Sequence, residues 1–527
     1  MSRTQIYPIG AGADLKVCAG PVDVSFEANP KEAAECVRMI GPEKNEPTKD
    51  CHKDQERATM SSSVRQSATA RPPRVVLIST YELGRQPFGL ASPAAWLVQA
   101  GASVTCMDLS REALHEELLR DADLVGFYVP MHTATRLAAE VVPAVRKLNP
   151  RAHLCFYGLY APVNASYLRG LGAQTILGGE FEAGLVSLLK RLRHPASVPG
   201  PQAEPVISLE RQHFLVPERR GLPPLSCYAH LSHCDGKPRI AGYTEASRGC
   251  KHRCRHCPIV PVYEGRFRIV QQEIVLEDIR GQVATGAEHI TFGDPDFFNG
   301  IRHAIAIVTA LHREHPNLTY DVTIKIEHLL KHAEYLATLR DTGCLFVTSA
   351  VESMDDAILA RLDKGHTYAD FASVVELFRE TGLCLAPTFV AFTPWTTLRG
   401  YCELLRQLTE LELVKQVAPI QLAIRLLIPA GSRLLELAEI RQMIGDFDEG
   451  QLVYPWRHSD LRVDELCRRI QERVARGQKN GDTRWGIFES VWKLAHEMAG
   501  LAVPPLLEGE ELIARAAVPY LTEPWYC

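Results

Sequence analysis

The chain has 527 residues, 46% of them hydrophobic and 23% charged, with a formal net charge of -5 and 15 cysteines. That length exceeds what one hydrophobic core organises and predicts two or three domains, while the composition excludes a fibrous or wholly disordered chain. No apolar run approaches the length of a membrane span and the N-terminus lacks a secretory core, so a cytoplasmic protein with reduced thiols and no membrane partner is expected. The slight acidity gives no general affinity for nucleic acid.

Residues 1–73 show no sustained periodicity and are rich in Pro, Ser, Glu, Lys and Arg, which predicts a disordered segment, with Met60 an alternative start. Order begins with the β-branched run 74–79, read as a buried parallel strand. Helical patterns near 94–100 and 115–119 alternate with strand patterns at 103–108, 124–128, 152–158 and 175–180. Such alternation predicts an α/β domain over 74–192 with a doubly wound parallel sheet, whose ligands sit beyond the strands' carboxyl ends. The turns to watch are then 80–93, 129–133, 158–164 and 178–182; they hold Gly158, Gly178, Gly179 and Glu180, and Tyr128 closes the third strand. Residues 193–242, with Pro195, Pro199, Pro201, Pro205, Pro223 and Pro224, read as an extended connector.

Cys250, Cys254 and Cys257 lie three and then two residues apart in a short loop flanked by Gly249 and Pro258. Three thiolates on a 4Fe-4S cluster leave one iron without a protein ligand, and that iron is a place for chemistry. Two other readings compete. On a helix the three positions would form a stripe of small buried residues, but every residue between them is Lys, His or Arg. A zinc site with His252, His256 or Cys234 as fourth ligand is the stronger rival, although no second knuckle follows.

Strand patterns then resume at 289–294, 320–325, 345–350, 385–390 and 420–425, after a first strand near 243–247. Six βα units over 243–434 predict a partial (β/α)6 TIM-type barrel, with active residues at the strands' carboxyl ends. Gly293, Asp294 and Asp296 follow the second strand, Glu352 and Ser353 the fourth, and 394–397 and 429–432 the fifth and sixth. Residues 435–527 read as mostly helical, either capping the barrel mouth or closing its open bottom.

The cysteine loop resembles that of the radical S-adenosylmethionine (radical SAM) enzymes, in which SAM chelates the free iron and an electron from the reduced cluster breaks its sulfonium carbon-sulfur bond. The resemblance implies that Cys250, Cys254 and Cys257 hold a 4Fe-4S cluster and that Gly293, Asp294 and Asp296 lie by the SAM amino group, although Asp294 stands where the family carries a glycine. Val351-Glu352-Ser353 resembles the Gly-Val-Glu-Ser-Gly segment of cobalamin-type and methylthiolating members, which would place Glu352 and Ser353 in the SAM pocket. Lys364-Gly365-His366 follows one helix later, as in those relatives or as an ordinary helix end.

Residues 74–192 resemble the cobalamin-binding domain that precedes the barrel in many of these enzymes, closing with Gly178-Gly179-Glu180-Phe181-Glu182. Tyr128, Gly158, Gly178, Gly179 and Glu180 are the cobalamin candidates this implies. The Asp-x-His-x-x-Gly motif that supplies a cobalt ligand is absent, His132 lies outside any such context, and a flavodoxin-like domain without a cofactor stays open. The ending Glu523-Pro524-Trp525-Tyr526-Cys527 resembles the start of the Cys-(selenocysteine or Cys)-Ala-Glu-Pro tail of one radical SAM group, which implies a selenoprotein cut at a UGA codon. The favoured expectation is a cobalamin-type radical SAM enzyme, reduced by a flavodoxin or ferredoxin, that transfers methyl to an unreactive carbon. A cobalamin-independent rearrangement or carbon-sulfur bond formation is the second, and a non-catalytic iron-sulfur or zinc protein the alternative of another class.

Overall fold

The N-terminal strands are near-continuous apolar runs because both faces of their sheet are covered. In the computed structural model, which describes residues 71–193, 203–232, 237–506 and 520–521, they are β1 (Arg74–Ser79), β2 (Ser103–Asp108), β3 (Leu124–Tyr128), β4 (His153–Tyr157) and β5 (Thr175–Gly179). All pair in parallel in the order β2-β1-β3-β4-β5. The helices are α1 (Phe88–Gln99), α2 (Glu116–Arg120), α3 (His132–Leu148), the short α4 (Tyr160–Val163) and α5 (Ala165–Gly170), and α6 (Glu182–Arg193). Alternation along the strands sends Val75, Leu77 and Tyr157 to a core with Leu90 of α1 and Leu185 of α6. It sends Val76, Ile78, Phe127 and Phe156 to a second core with Ala138 and Val142 of α3. The switch in strand order lies between β1 and β3, whose ends are level, with Ser79 opposite Tyr128.

The connector is extended, as its prolines predict, but it is packed. Its β6 (Ile207–Ser208) pairs with Gly178 and Gly179 as a sixth strand of the first sheet. Further on, Glu218 N–H donates to Ala91 O and Ala229 N–H to Gly84 O. Pro195, Pro199, Pro201 and Cys234 lie outside the described residues, as do the N-terminal segment to residue 70 and the tail Glu523 to Cys527.

A second sheet follows. β7 (His230–Ser232) pairs antiparallel with β8 (Pro238–Thr244), which begins the barrel somewhat earlier than the sequence pattern indicates. β9 (Ser247–Gly249) and β10 (Phe267–Ile269) form a separate antiparallel pair around α7 (Val260–Tyr263). Then come α8 (Gln272–Ala284), β11 (His289–Phe292), α9 (Ile301–Glu314), β12 (Thr319–Thr323), α10 (Ile326–Lys331), α11 (Leu336–Asp341) and β13 (Cys344–Glu352). They are followed by α12 (Asp356–Leu362), α13 (Tyr368–Thr381), β14 (Cys384–Phe389) and α14 (Leu398–Glu410). Strands β8, β11, β12, β13 and β14 are parallel neighbours and make an open half-barrel.

The expected sixth strand, 420–425, shrinks to one bridge between Phe392 and Arg425 after a 3-10 turn over Pro419–Leu422. Pro419 has no N–H for a ladder, and the Phe389 N–H at the sheet edge is taken instead by the Gln421 side chain at 3.0 Å. Helices α15 (Ala438–Met443), α16 (Leu461–Asn480) and α17 (Arg484–Ala499) complete the described C-terminal region. Val463, Leu466, Ile470, Val491 and Trp492 of α16 and α17 share one continuous core with the barrel's Phe392 and Tyr401. β15 (Tyr520–Leu521) adds to β7. No helix among the described residues is long and apolar enough to cross a membrane.

Candidate active site

The cysteine loop leaves β9 through Gly249, whose φ of +75° suits glycine, and a Cβ there would stand 2.5 Å from Arg266 O and 2.4 Å from the Tyr263 ring. Backbone contacts fix the loop that follows. Lys251 N–H donates to Asn299 Oδ1 at 3.1 Å, Arg255 N–H to Leu362 O at 2.8 Å and Cys257 N–H to Cys254 O at 3.2 Å. Ser432 Oγ–H reaches Arg255 O at 3.2 Å from the far side of the barrel. All three cysteines are free, with Cys254 buried. Burial pushes the Cys257 thiol up to about 12, and the charges of Cys254 and Cys250 add to it. Cys250 is pushed to about 11 by burial and then by Asp296, against the N–H of His252.

Gly293 is a forced choice at the end of the second barrel strand, since a Cβ would fall 1.8 Å from the Tyr243 hydroxyl. Asp294, buried, accepts from Ala246 N–H at 2.8 Å and from the Ser247 hydroxyl at 2.5 Å, so its carboxylate pins the start of β9. Asp296 caps the 3-10 turn Phe297–Gly300, where Oδ1 accepts from Phe298 N–H at 3.2 Å. Its Oδ2 faces His252 and His328.

Glu352 ends β13 at a register shift, with φ +71°, a conformation costly for a residue with a Cβ. Its Oε1 lies 3.0 Å from His256 Nε2 and 3.4 Å from Lys364 Nζ. Burial pushes this carboxyl up, but Lys364 and His256 outweigh it and hold the group at about 2. Ser353 Oγ accepts from Asp355 N–H at 3.1 Å. His366 is buried with both ring nitrogens unpartnered, and burial, reinforced by Lys364 and Lys325, holds it at about 4. Gly365 stands so close to the Lys325–Glu327 pair that a Cβ would meet Glu327 Oε2 at 2.9 Å. The fourth-strand motif, the helix end after it and the third-strand turn therefore converge beside the cysteine loop.

The first sheet's candidates have other surroundings. Tyr128 covers Gly89 so closely that a Cβ there would fall 2.1 Å from its ring, and it lies 5.5 Å from the Tyr157 ring and 6.0 Å from that of Phe181. Gly158 has φ +111°. At Gly178 a Cβ would stand 2.1 Å from Pro162, and at Gly179, with φ +69°, 2.2 Å from Ser208 O. Glu180 Oε1 accepts from the Tyr263 hydroxyl at 3.2 Å, and Oε2 lies 3.4 Å from Arg248 Nη1. Arg248, two residues before Cys250, also meets Glu182 at 2.8 Å and Glu245 at 2.7 Å. Close by the strand ends, Ser79 Oγ, Glu82 Oε2 and Asn164 Oδ1 are buried without a hydrogen-bond partner. His132 Nε2 pairs with Gln451 O at 2.5 Å.

The structure thus brings together the cysteine loop, the second-strand turn and the Glu352 turn that sequence reasoning singled out, and adds Arg248, Lys325 and His328, which it did not. Lys325 and His328 follow a recognised strand, so the rule that barrel sites collect at strand ends pointed to them. Arg248 carried no such signal, because its three carboxylate partners come from distant stretches of chain.

Residues 244–392 match the model of the radical SAM superfamily. The chain is 26% identical over 359 residues to the hopanoid C-3 methylase of Methylococcus capsulatus, covering 64% of this chain and 66% of that protein. It is 25% identical over 181 residues to the tRNA-2-methylthio-N(6)-dimethylallyladenosine synthase of Chlorobium limicola, covering 32% of this chain and 40% of that one. The matches thus span just under two thirds of the first relative and two fifths of the second. Among solved structures, the radical SAM methyltransferase TsrM from Kitasatospora setae, with cobalamin and a [4Fe-4S] cluster bound, aligns with TM-score 0.52 and 18% identity, covering 64% of this chain and 73% of that one. The cobalamin-dependent SAM radical enzyme OxsB, with aqua-cobalamin and SAM bound, aligns with TM-score 0.59 and 14% identity over 77% of this chain and 67% of that one. At these identities the structures share the fold.

Proposed function

We propose, from the premise that residues 244–392 form a radical SAM domain, that this protein is a radical SAM enzyme that methylates an unreactive carbon with the help of a cobalamin. The observation that carries the reading is that Cys250, Cys254 and Cys257 share a loop anchored on both sides, beside the ionised Glu352 and the unpartnered His366. The residues fit a cluster: the three thiols are free and lie in one short loop, and N–H groups of His252 and Ile259 face Cys250 and Cys257, as donors to sulfur do in such sites. The histidines of the zinc alternative face away from the thiols, His252 toward Asp296 and Glu327 and His256 toward Glu352.

Cys250, Cys254 and Cys257 would hold a 4Fe-4S cluster with one iron free of protein ligands, which when reduced would supply the electron for cleavage of the SAM carbon-sulfur bond. This chain's own residues prepare the pocket around it. Lys364 and His256 keep Glu352 ionised and oriented, which suits a polar, zwitterionic ligand. Gly293 lets the Tyr243 hydroxyl pack against the second-strand turn, and Asp294 holds that turn against the start of β9, which leads into the cysteine loop. Ser353 ties the Glu352 turn to the helix after it. A flavodoxin or ferredoxin is the proposed electron donor.

For a corrinoid, Tyr128, Gly158, Gly178 and Gly179 stand at the first sheet's carboxyl ends, where ligands of doubly wound sheets sit. The unpartnered Ser79, Glu82 and Asn164 oxygens suit the amide side chains of such a ring. Glu180 contributes through Arg248, which ties this sheet to the cysteine loop. A second reading, carbon-sulfur bond formation without cobalamin, draws on the methylthio-synthase relatives, which match about a third of the chain.

The test is anaerobic. Protein reconstituted with iron and sulfide is mixed with dithionite and SAM, with and without methylcobalamin, and 5'-deoxyadenosine and S-adenosylhomocysteine are quantified by mass spectrometry. Four irons per chain, SAM-derived products abolished in Cys254→Ala, and S-adenosylhomocysteine that requires the corrinoid are the expected results. Products that ignore the corrinoid favour the second reading, and one zinc with no iron overturns both.

A further inference from the structure

The residue between the first two cluster cysteines turns away from them. His252 Nε2 lies 3.5 Å from Asp296 Oδ2, and His328 Nδ1 lies 2.7 Å from the same oxygen. The two imidazole rings are 4.7 Å apart, near edge-to-face. Each of the three facing atoms lies within 4.8 Å of the others, and all three are buried and make no hydrogen bond. Asp296 and His328 are more than nine-tenths buried, with 1% and 6% of their surface exposed. An ordinary histidine-aspartate pair would align an N–H on the carboxylate, but here the contact at 2.7 Å is not so aligned. Three buried polar atoms without an aligned hydrogen bond are thus brought within ligand distance of one another.

The geometry points to a mononuclear site for a divalent first-row transition metal, held by His252 Nε2, His328 Nδ1 and Asp296 Oδ2 and separate from the cysteine-bound cluster. Bonds of ~2.1 Å to a tetrahedral ion put donors ~3.4 Å apart, and the two donor separations of 3.5 and 2.7 Å bracket that value. Two imidazoles and one carboxylate suit zinc or ferrous iron better than calcium or magnesium. The outer contacts suit a metal as well. His252 Nδ1 faces Glu327 Oε2 at 3.4 Å, the carboxylate-histidine arrangement that orients a metal-binding ring, and Asp296 Oδ1 is held by Phe298 N–H. The inference moves Asp296 from direct SAM contact to metal ligation, and it stands whether or not the cysteines hold a cluster.

The test removes the competing thiols. The full-length chain with Cys250→Ala, Cys254→Ala and Cys257→Ala, stripped with chelator and titrated anaerobically with Co(II), is expected to bind one Co(II) per chain, with visible d–d bands and no thiolate charge-transfer band. Adding Asp296→Asn or His328→Gln to that background is expected to abolish the bands, and adding Glu327→Gln to weaken binding ~10–100-fold. No stoichiometric Co(II), or equal binding in the Asp296→Asn and His328→Gln chains, overturns the site. Should the triple variant not fold, as judged by circular dichroism, the cluster-loaded wild type answers instead. It is expected to carry one metal beyond its four irons, and Asp296→Asn to lose that metal while keeping the cluster absorbance; four irons and nothing more in zinc- and cobalt-supplemented wild type overturn the proposal.

Discussion

The carboxyl ends of the two parallel sheets settle their buried charges differently. At the first, Tyr128, Tyr157 and Phe181 pack ring to ring and Arg248 compensates Glu180, Glu182 and Glu245, while Ser79 Oγ, Glu82 Oε2 and Asn164 Oδ1 stay buried without a hydrogen-bond partner. At the second, His366, His256 Nδ1, Asp296 Oδ2 and His328 Nδ1 are buried and unpartnered. Unsatisfied buried polar atoms cost stability, and a fold keeps them where a ligand completes them. The contrast teaches that residue types at strand ends say where a site lies, while partner accounting separates the charge-closed joint around Arg248 from the surfaces that still hold unmet polar atoms.

The sharpest way to break this comparison is Arg248→Met. It strands three buried carboxylates and is expected to cost about 3–5 kcal/mol, read from urea midpoints at pH 7. A cost under 1 kcal/mol would show that the joint is not closed by charge. Next in size, Gly179→Ala places a methyl 2.2 Å from Ser208 O in a left-handed backbone. A loss of about 1–3 kcal/mol is expected in the same assay.

Glu180 adds a pH dependence. Burial raises its carboxyl to about 7, with Arg248 opposing and Glu182 adding to the rise. The guanidinium sits closer to Glu182, at 2.8 Å, and there the carboxyl is held below its usual value although burial opposes it. A raised acid binds more protons folded than unfolded, so its contribution is fully present below about 4.5 and is lost as pH rises toward 7. Glu180→Gln is therefore expected to flatten the fall in wild-type stability across that window, measured as melting temperature against pH. The smallest effect on stability belongs to the open surface. His366→Phe removes a buried ring with no hydrogen bonds, and stability is expected to stay within about 1 kcal/mol of wild type, while SAM cleavage falls in the 5'-deoxyadenosine assay. Unchanged cleavage would return His366 to the core.

Much of this was legible in the sequence because it was local. The strand-helix alternation follows from one-dimensional periodicity, and β1, β2 and β3 begin and end where the apolar runs do. Cys250, Cys254 and Cys257 declare themselves by spacing within eight residues, and Glu352-Ser353 by its place after a strand. The sixth strand was misread because 420–425 has strand composition, whereas Pro419 and the Gln421 side chain decide its backbone pairing. The sequence by itself determined which elements form and which loop offers thiolates, since propensity, periodicity and ligand spacing act over short range. Only the tertiary structure decided that Arg248 is spent on three carboxylates, that Asp294 pins a strand while Asp296 faces two histidines, and that His366 is left without a partner. Each of those facts is a meeting of residues far apart in the chain, and burial, which sets the cost of an unmet charge or hydrogen bond, exists only once the chain has closed around it.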